Sequence, residues 1–183
     1  MTQNSLLIRS LTLRNILSYG VEGCDIVLSP LNVFIGPNGS GKSNLIEAIV
    51  LLRSSANGLR ETVRAGGGVS EWIWKGGSQG AAVINAVISN PFGNQSLRHV
   101  LAFRAEQQAF RLDDERIENE KSHPDKDEPY FYYRYQQGHP VLNVKNREHG
   151  LVQENVQSDV SILVQRRDPE TYPEIFYLAS VYE

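Results

Sequence analysis

Residues 36–43 read G-P-N-G-S-G-K-S, which matches the pattern G-x-x-x-x-G-K-[ST] at every fixed position. Gly36, Gly39 and Gly41 let the backbone take conformations that a Cβ forbids, so successive N–H groups turn inward around an anion. Pro37, Asn38 and Ser40 fill the variable positions of the loop. Lys42 supplies a point charge for the β- and γ-phosphates of a nucleotide, and the Ser43 hydroxyl is a ligand for Mg²⁺. A helix starting at this loop aims its positive end, about half an elementary charge, at the same phosphates.

The flanks agree with that chemistry. Residues 31–35 form a short apolar run with β-branched Val33 and Ile35, which predicts a buried strand. After the loop, Leu45, Ile49, Leu52 and Ala56 recur at helical spacing, and Asn57-Gly58 is a stop signal. The order is strand, glycine-rich loop, helix, as the mechanism requires.

A length of 183 residues suits one domain with a real core. The net charge of −3 carries no global nucleic-acid signature, so any DNA contact has to be local. Cys24 is the lone cysteine, which excludes an internal disulfide and a cysteine-based metal cluster; a small buried residue is the expectation for it. No signal-peptide core and no apolar run of membrane-spanning length are present, and the default expectation is a cytoplasmic protein.

Along the chain, residues 6–16 read as a first strand with Leu11 and Leu13 on one face, and residues 24–28 as a second. Trp72 and Trp74 stand two apart, on one face if extended, beside Lys75; packing is the plain reading and a base-stacking platform the sharper one. Residues 81–89, 97–105, 109–112, 130–135 and 140–144 read as strands of an antiparallel meander. Residues 113–128 are highly charged and read as a solvated loop, with Asp113, Asp114 and Glu115 as a hairpin turn rather than catalytic acids. His99, His123, His139 and His149 show no ligand spacing and are expected on the surface or in loops. Residues 162–164 read as a strand ending at Gln165, and residues 174–182 as the start of a helix.

Residues 11–19 (L-T-L-R-N-I-L-S-Y), the phosphate loop with the following N-L-I-E-A-I, and the meander leading to Gln165 together resemble the N-terminal lobe of ABC-type P-loop ATPases of the SMC/RecF class, including OLD-like, AAA-type heads. Asn38 and Asn44 are typical of that class. The resemblance implies an α/β P-loop NTPase lobe: a mixed sheet around the Walker A helix plus an antiparallel β meander, incomplete relative to the full head. Its parts would be a core over 1–58, a β-rich insertion over 59–157, and a Q-loop strand with the start of a helix over 158–183.

The resemblance further implies ATP and Mg²⁺ as ligands, with residues 36–44 binding the nucleotide and Ser43 and Gln165 meeting the metal. Lys42 and Gln165 are then the catalytic candidates, Gln165 as the family's Q-loop glutamine. Leu17 departs from the arginine common in the first motif. No LSGG-like signature, no apolar strand ending in Asp-Glu after Gln165 and no switch histidine are found. The expectation is therefore an ATP-binding module for DNA repair, genome maintenance or phage defence that needs a missing C-terminal half or a partner, such as a second copy, for hydrolysis. The alternatives are a P-loop small-molecule kinase and a non-catalytic nucleotide-sensing interaction module; a GTPase lacks its N-K-x-D here. DNA is a possible partner by family, with Arg53, Arg60, Arg64, Lys75, Arg98 and Arg104 as a candidate basic surface.

Overall fold

A computed structural model describes residues 7–77, 80–136, 139–144, 151–152, 156–157 and 159–183. Strand β1 (Ile8–Arg14) pairs with β2 (Cys24–Val27) on one side and β3 (Ala82–Ile88) on the other. Between β2 and β3 lie three helices: α1 (Lys42–Ser54), α2 (Leu59–Ala65) and α3 (Val69–Trp72). The meander continues as β4 (Leu97–Glu106), β5 (Ala109–Asn119), β6 (Phe131–Gln136), β7 (His139–Asn143) and β8 (Leu151–Val152). The chain then forms α4 (Ile162–Gln165) and α5 (Pro173–Tyr182). The eight strands make one sheet in the order β2-β1-β3-β4-β5-β6-β7-β8, and every pairing is antiparallel. The first strands and the meander are thus one continuous surface in an α/β P-loop lobe.

Alternation builds the inner face. Ala82, Ile84, Ala86 and Ile88 are buried while their neighbours are half-buried, the pattern of a strand whose second face is less covered. Register stacks Leu13, Ile84 and Leu101 in one cross-strand row and Leu11, Ala86 and His99 in the next. The helix α1 lays Leu45, Ala48, Leu51 and Leu52 into the same core, and α5 adds Ile175, Leu178, Ala179 and Tyr182. Each such buried Leu or Ile contributes about 1.5–3 kcal/mol of transfer free energy.

The structure corrects several expectations. Residues 31–35 join no strand, and Leu31, Val33, Phe34 and Ile35 are exposed, so the buried strand before the loop is absent from this sheet. The hairpin turn in the charged stretch lies earlier, at Gln107 and Gln108, both left-handed at φ 50° and 64°, as a two-residue loop demands. Consequently β5 runs through Asp113, Asp114 and Glu115. A bulge at Asp113 shifts the register between the Phe103–Leu112 and Ala102–Asp114 pairs, so both Leu112 and Glu115 turn inward. Charges in β5 are met across the sheet, Arg104 pairing with Asp113 at 2.7 Å and Arg98 Nε donating to Glu118 at 2.9 Å.

His99 is fully buried rather than on the surface, while His123 is exposed and His149 lies outside the described residues. Residues 162–164 belong to a helical turn, not a strand. Trp72 and Trp74 do not share a face: Trp72 ends α3, buried, with its Nε1–H donating to Val63 O at 3.3 Å, whereas Trp74 is half-buried in the extended segment after it. Cys24 is half-buried, and the residues described contain no helix long and apolar enough to cross a membrane.

Candidate nucleotide site

The loop at residues 36–43 has the backbone its glycines allow. Gly39 and Gly41 are left-handed, at φ 81° and 88°, and Gly41 is the N-cap of α1. No side chain caps that helix and no acid stands in its first turn, so the leading N–H groups and the positive end of the dipole face outward. Lys42 folds back over the loop, its Nζ donating to Gly36 O at 2.7 Å, Pro37 O at 2.8 Å and Ser40 Oγ at 3.1 Å. All three ammonium protons are held by the ring the nucleotide phosphates would enter. Ser43 is exposed and Asn44 half-buried on the first turn of the helix.

A second element buttresses the loop, and motif reading assigned it no role. The turn after β1 is a tight hairpin in which Ile16 and Tyr19 exchange backbone bonds at 3.0 and 2.8 Å. Asn15 and Leu17 both adopt left-handed φ, 50° and 51°. Asparagine tolerates this; leucine does so at about 1–2 kcal/mol, a strain held only where surrounding contacts dictate it. Here Leu17 N donates to Trp72 O at 2.8 Å and Trp74 N to Asn15 O at 3.0 Å, which zips the hairpin to the segment after α3. The result presents Tyr19, whose hydroxyl donates to Gly41 O at 3.1 Å, and Ser18, whose Oγ lies 2.8 Å from where a Cβ on residue 41 would be. Burial pushes the Tyr19 phenol up, with Cys24 adding to the shift, so it remains a donor. The signal in the sequence was the S-Y pair closing the first motif.

Between the hairpin and the 73–76 segment lies a cleft of about 490 Å³, open at the start of α1, with Ser18, Asn44, Glu71, Trp74 and Lys75 in its lining. Leu17 contributes apolar surface there, where an arginine would have brought charge. Glu71 is the acid in that lining, and Lys75 Nζ holds it at 2.7 Å.

Gln165 ends α4. Its amide is turned onto the connector before that helix: Oε1 accepts from Gln157 N at 2.9 Å, and Nε2 donates to Val160 O at 2.6 Å and Gln157 O at 3.2 Å. Of the expected Mg²⁺ ligands, then, Ser43 offers an exposed hydroxyl, while the Gln165 amide is engaged by its own connector. No cluster of three or more acidic, histidine or cysteine side chains able to hold a metal exists among the described residues. Of the basic residues expected to form a surface, Arg60 pairs with Asp159, Lys75 with Glu71, Arg98 with Glu118 and Arg104 with Asp113, and Arg53 Nε donates to Tyr182 O.

Known proteins align with this arrangement. The family model described as "AAA domain, putative AbiEii toxin, Type IV TA system" matches residues 31–180. The DNA replication and repair protein RecF of Vibrio vulnificus, in strains YJ016 and CMCP6, is 61% identical over 33 residues. That match spans 18% of this chain and 9% of RecF. A solved chain from work on ATP-driven dimerization and DNA-stimulated activation of SMC ATPases aligns with a TM-score of 0.47 at 22% identity, covering 58% of this chain and 68% of its own. The family match runs from the segment before the phosphate loop through most of α5, and the chain belongs to this AAA-domain family of P-loop ATPases.

Proposed function

We propose that this chain is an ATP–Mg²⁺-binding module of an ABC/SMC/RecF-like ATPase, whose hydrolysis requires a complementary half. The observation that carries the reading is the loop itself: two left-handed glycines, an uncapped helix start, and an ammonium group already poised over the loop carbonyls. Phosphoryl transfer needs phosphates positioned, their charge neutralised and a water activated in line. The N–H groups of residues 36–44, Pro37 excepted, bind and orient the phosphates. Lys42 exchanges its bonds to Gly36 and Pro37 for phosphate oxygens. Mg²⁺, when bound, neutralises phosphate charge, and Ser43 is the residue that holds it. Gln165 would be a further residue to meet that metal or the attacking water, its amide then leaving Gln157 and Val160. The cleft beside Asn44 receives the rest of the nucleotide against the Trp74 indole.

The third requirement, an activated water, finds no group to meet it among the described residues. Asp113 and Asp114 are engaged within the sheet by Arg104 and Arg116, Glu115 is wholly buried, and Glu71 is held by Lys75. No free general base faces the cleft from the described residues that line it. The exposed segment at 31–35 supports a complementary half. Leu31, Val33 and Ile35 are 82%, 74% and 93% exposed, and the described residues give the backbone from 33 to 35 no hydrogen-bond partner. An apolar run with Val33 and Ile35 on one face and Phe34 on the other is the pattern of a strand covered on both sides. A second polypeptide lobe, from a partner or another copy, completes it by strand pairing. The short match to a DNA replication and repair protein supports a genome-maintenance setting. A kinase needs an arginine-rich lid, and of the adjacent Arg166 and Arg167 the second is committed to Ala56 O and Glu183.

The test is an ATP titration followed by tryptophan fluorescence. ATP with Mg²⁺ is expected to change the Trp74 emission, and Lys42→Ala to weaken binding at least about tenfold. The purified chain alone is expected to turn over far below about 1 s⁻¹. Lys42-dependent turnover near that rate, or ATP binding indifferent to Lys42, would sink the proposal.

A further inference from the structure

Glu115 is a fully buried carboxylate in the middle of an apolar row, between Leu101 on β4 and Tyr135 on β6. Leaving a charge there costs several kcal/mol unless donors satisfy it, and a leucine would fill the place without that penalty. Three donors converge on it from elsewhere in the chain. Ser161 Oγ donates to Oε1 at 2.5 Å, Ile162 N to Oε2 at 2.9 Å, and His99 Nε2 lies 3.5 Å from Oε1. Ser161 is itself the N-cap of α4, accepting from Leu163 N at 3.2 Å. Both leading N–H groups of that turn are therefore satisfied through Glu115 or the serine it holds. The turn ends at Gln165, whose side-chain amide rests on replaceable, partly exposed bonds.

The same network reaches α1 from the other side. The Tyr182 hydroxyl lies 3.0 Å from His99 Nδ1, and burial, with the Glu115 charge adding to it, keeps that phenol protonated and a donor. Nδ1 is then the acceptor, and Nε2–H is left to donate to Glu115. Tyr182 O in turn accepts from Arg53 Nε at 2.7 Å, in the last turn of the helix that begins with Lys42 and Ser43.

We propose that Glu115 is the positioning residue of the Gln165 turn, and that Tyr182 and His99 tie its setting to the helix carrying Lys42 and Ser43. This rests on the reading of Gln165 as the group that meets Mg²⁺ or the attacking water. Nucleotide drawn onto the first turn of α1 shifts that helix, and the rigid contacts through Arg53, Tyr182, His99 and Glu115 carry the shift to the start of α4. The element with two arrangements is the Gln165 amide, either on Gln157 and Val160 or at the metal.

The test uses Glu115→Gln, which keeps the volume but replaces one acceptor oxygen with an NH₂ facing donors. Without nucleotide, hydrogen exchange at the Ile162 and Leu163 amides is expected to accelerate at least about tenfold. ATP affinity in EDTA is expected to hold within about twofold, while the gain in affinity on adding Mg²⁺ shrinks about fivefold or more. Gln165→Ala is expected to remove the same gain, and the double variant to lose no more than either alone. Tyr182→Phe, which deletes one hydroxyl from an otherwise unchanged ring, is expected to reproduce the loss of the gain about twofold and serves if Glu115→Gln does not fold. Unchanged exchange at 162–163, an equal loss of affinity with and without Mg²⁺, or additive losses in the double variant overturn the positioning role. If Gln165→Ala leaves the Mg²⁺ gain intact, the reading of Gln165 fails instead, and the two failures are told apart.

Discussion

The strands β3 to β6 and the segment at 31–43 are built by opposite rules. In the first, alternation puts one face in the core, every strand has hydrogen-bonded neighbours, and even charged side chains meet partners across the sheet. In the second, apolar side chains stand in the open, the backbone from 33 to 35 has no partner among the described residues, and the one cation of the loop caps its own carbonyls. The meander supplies its own stability. Under the proposed function the phosphate-loop segment depends on what binds it: anion on one side, strand on the other.

Substitutions sharpen that contrast. The largest effect belongs in the meander, where Phe103→Ala is expected to cost about 3–5 kcal/mol in denaturant unfolding. Val33→Ser on the open segment is expected to stay within about 0.5 kcal/mol in the isolated chain; a comparable loss at both positions would erase the distinction. Next comes Glu115→Ala, which strands the Ser161 hydroxyl and the Ile162 N–H in the core, at about 2–3 kcal/mol by the same measurement. Gly41→Ala forces a Cβ onto a left-handed backbone and against Ser18 Oγ. It is expected to cost about 1–2 kcal/mol and to weaken ATP binding beyond that loss. The smallest of the expected losses, the neutral Val33→Ser aside, is that of Tyr19→Phe, about 1 kcal/mol from one hydrogen bond to Gly41 O, read as a modest drop in ATP affinity with the fold intact. A Tyr19→Phe protein that binds ATP as the parent does would show that the hairpin is no part of the site.

Legibility in the sequence followed the range of the physics. The loop at 36–43 was readable because its fixed positions report local needs: backbone without Cβ, a cation, a hydroxyl. Helix α1 and strand β3 were readable because burial follows the period of each element, and β4 and β6 because apolar and aromatic runs are bounded by polar turns. Strand β5 was misread at Asp113 because a bulge breaks the period there, and no residue type announces it. His99 and Glu115 were misjudged because a charged or polar side chain inside the sheet is affordable only with donors from other elements. Trp74 was separated from Trp72 by a helix end at residue 72 that placed one indole in the core and one at the cleft.

The sequence by itself determined that residues 36–43 form a glycine-rich loop of the phosphate-binding pattern and that the chain builds a sheet from alternating strands, since both follow from backbone freedom and side-chain period over a few residues. Only the tertiary structure decided that residues 31–35 stand open, that Tyr19 braces Gly41, and that Glu115 holds the turn of Gln165. Those outcomes hang on contacts between residues distant in the chain, Ser161 and Glu115 being 46 positions apart. Burial of a carboxylate is a matter of who donates to it, and that is settled when the elements pack.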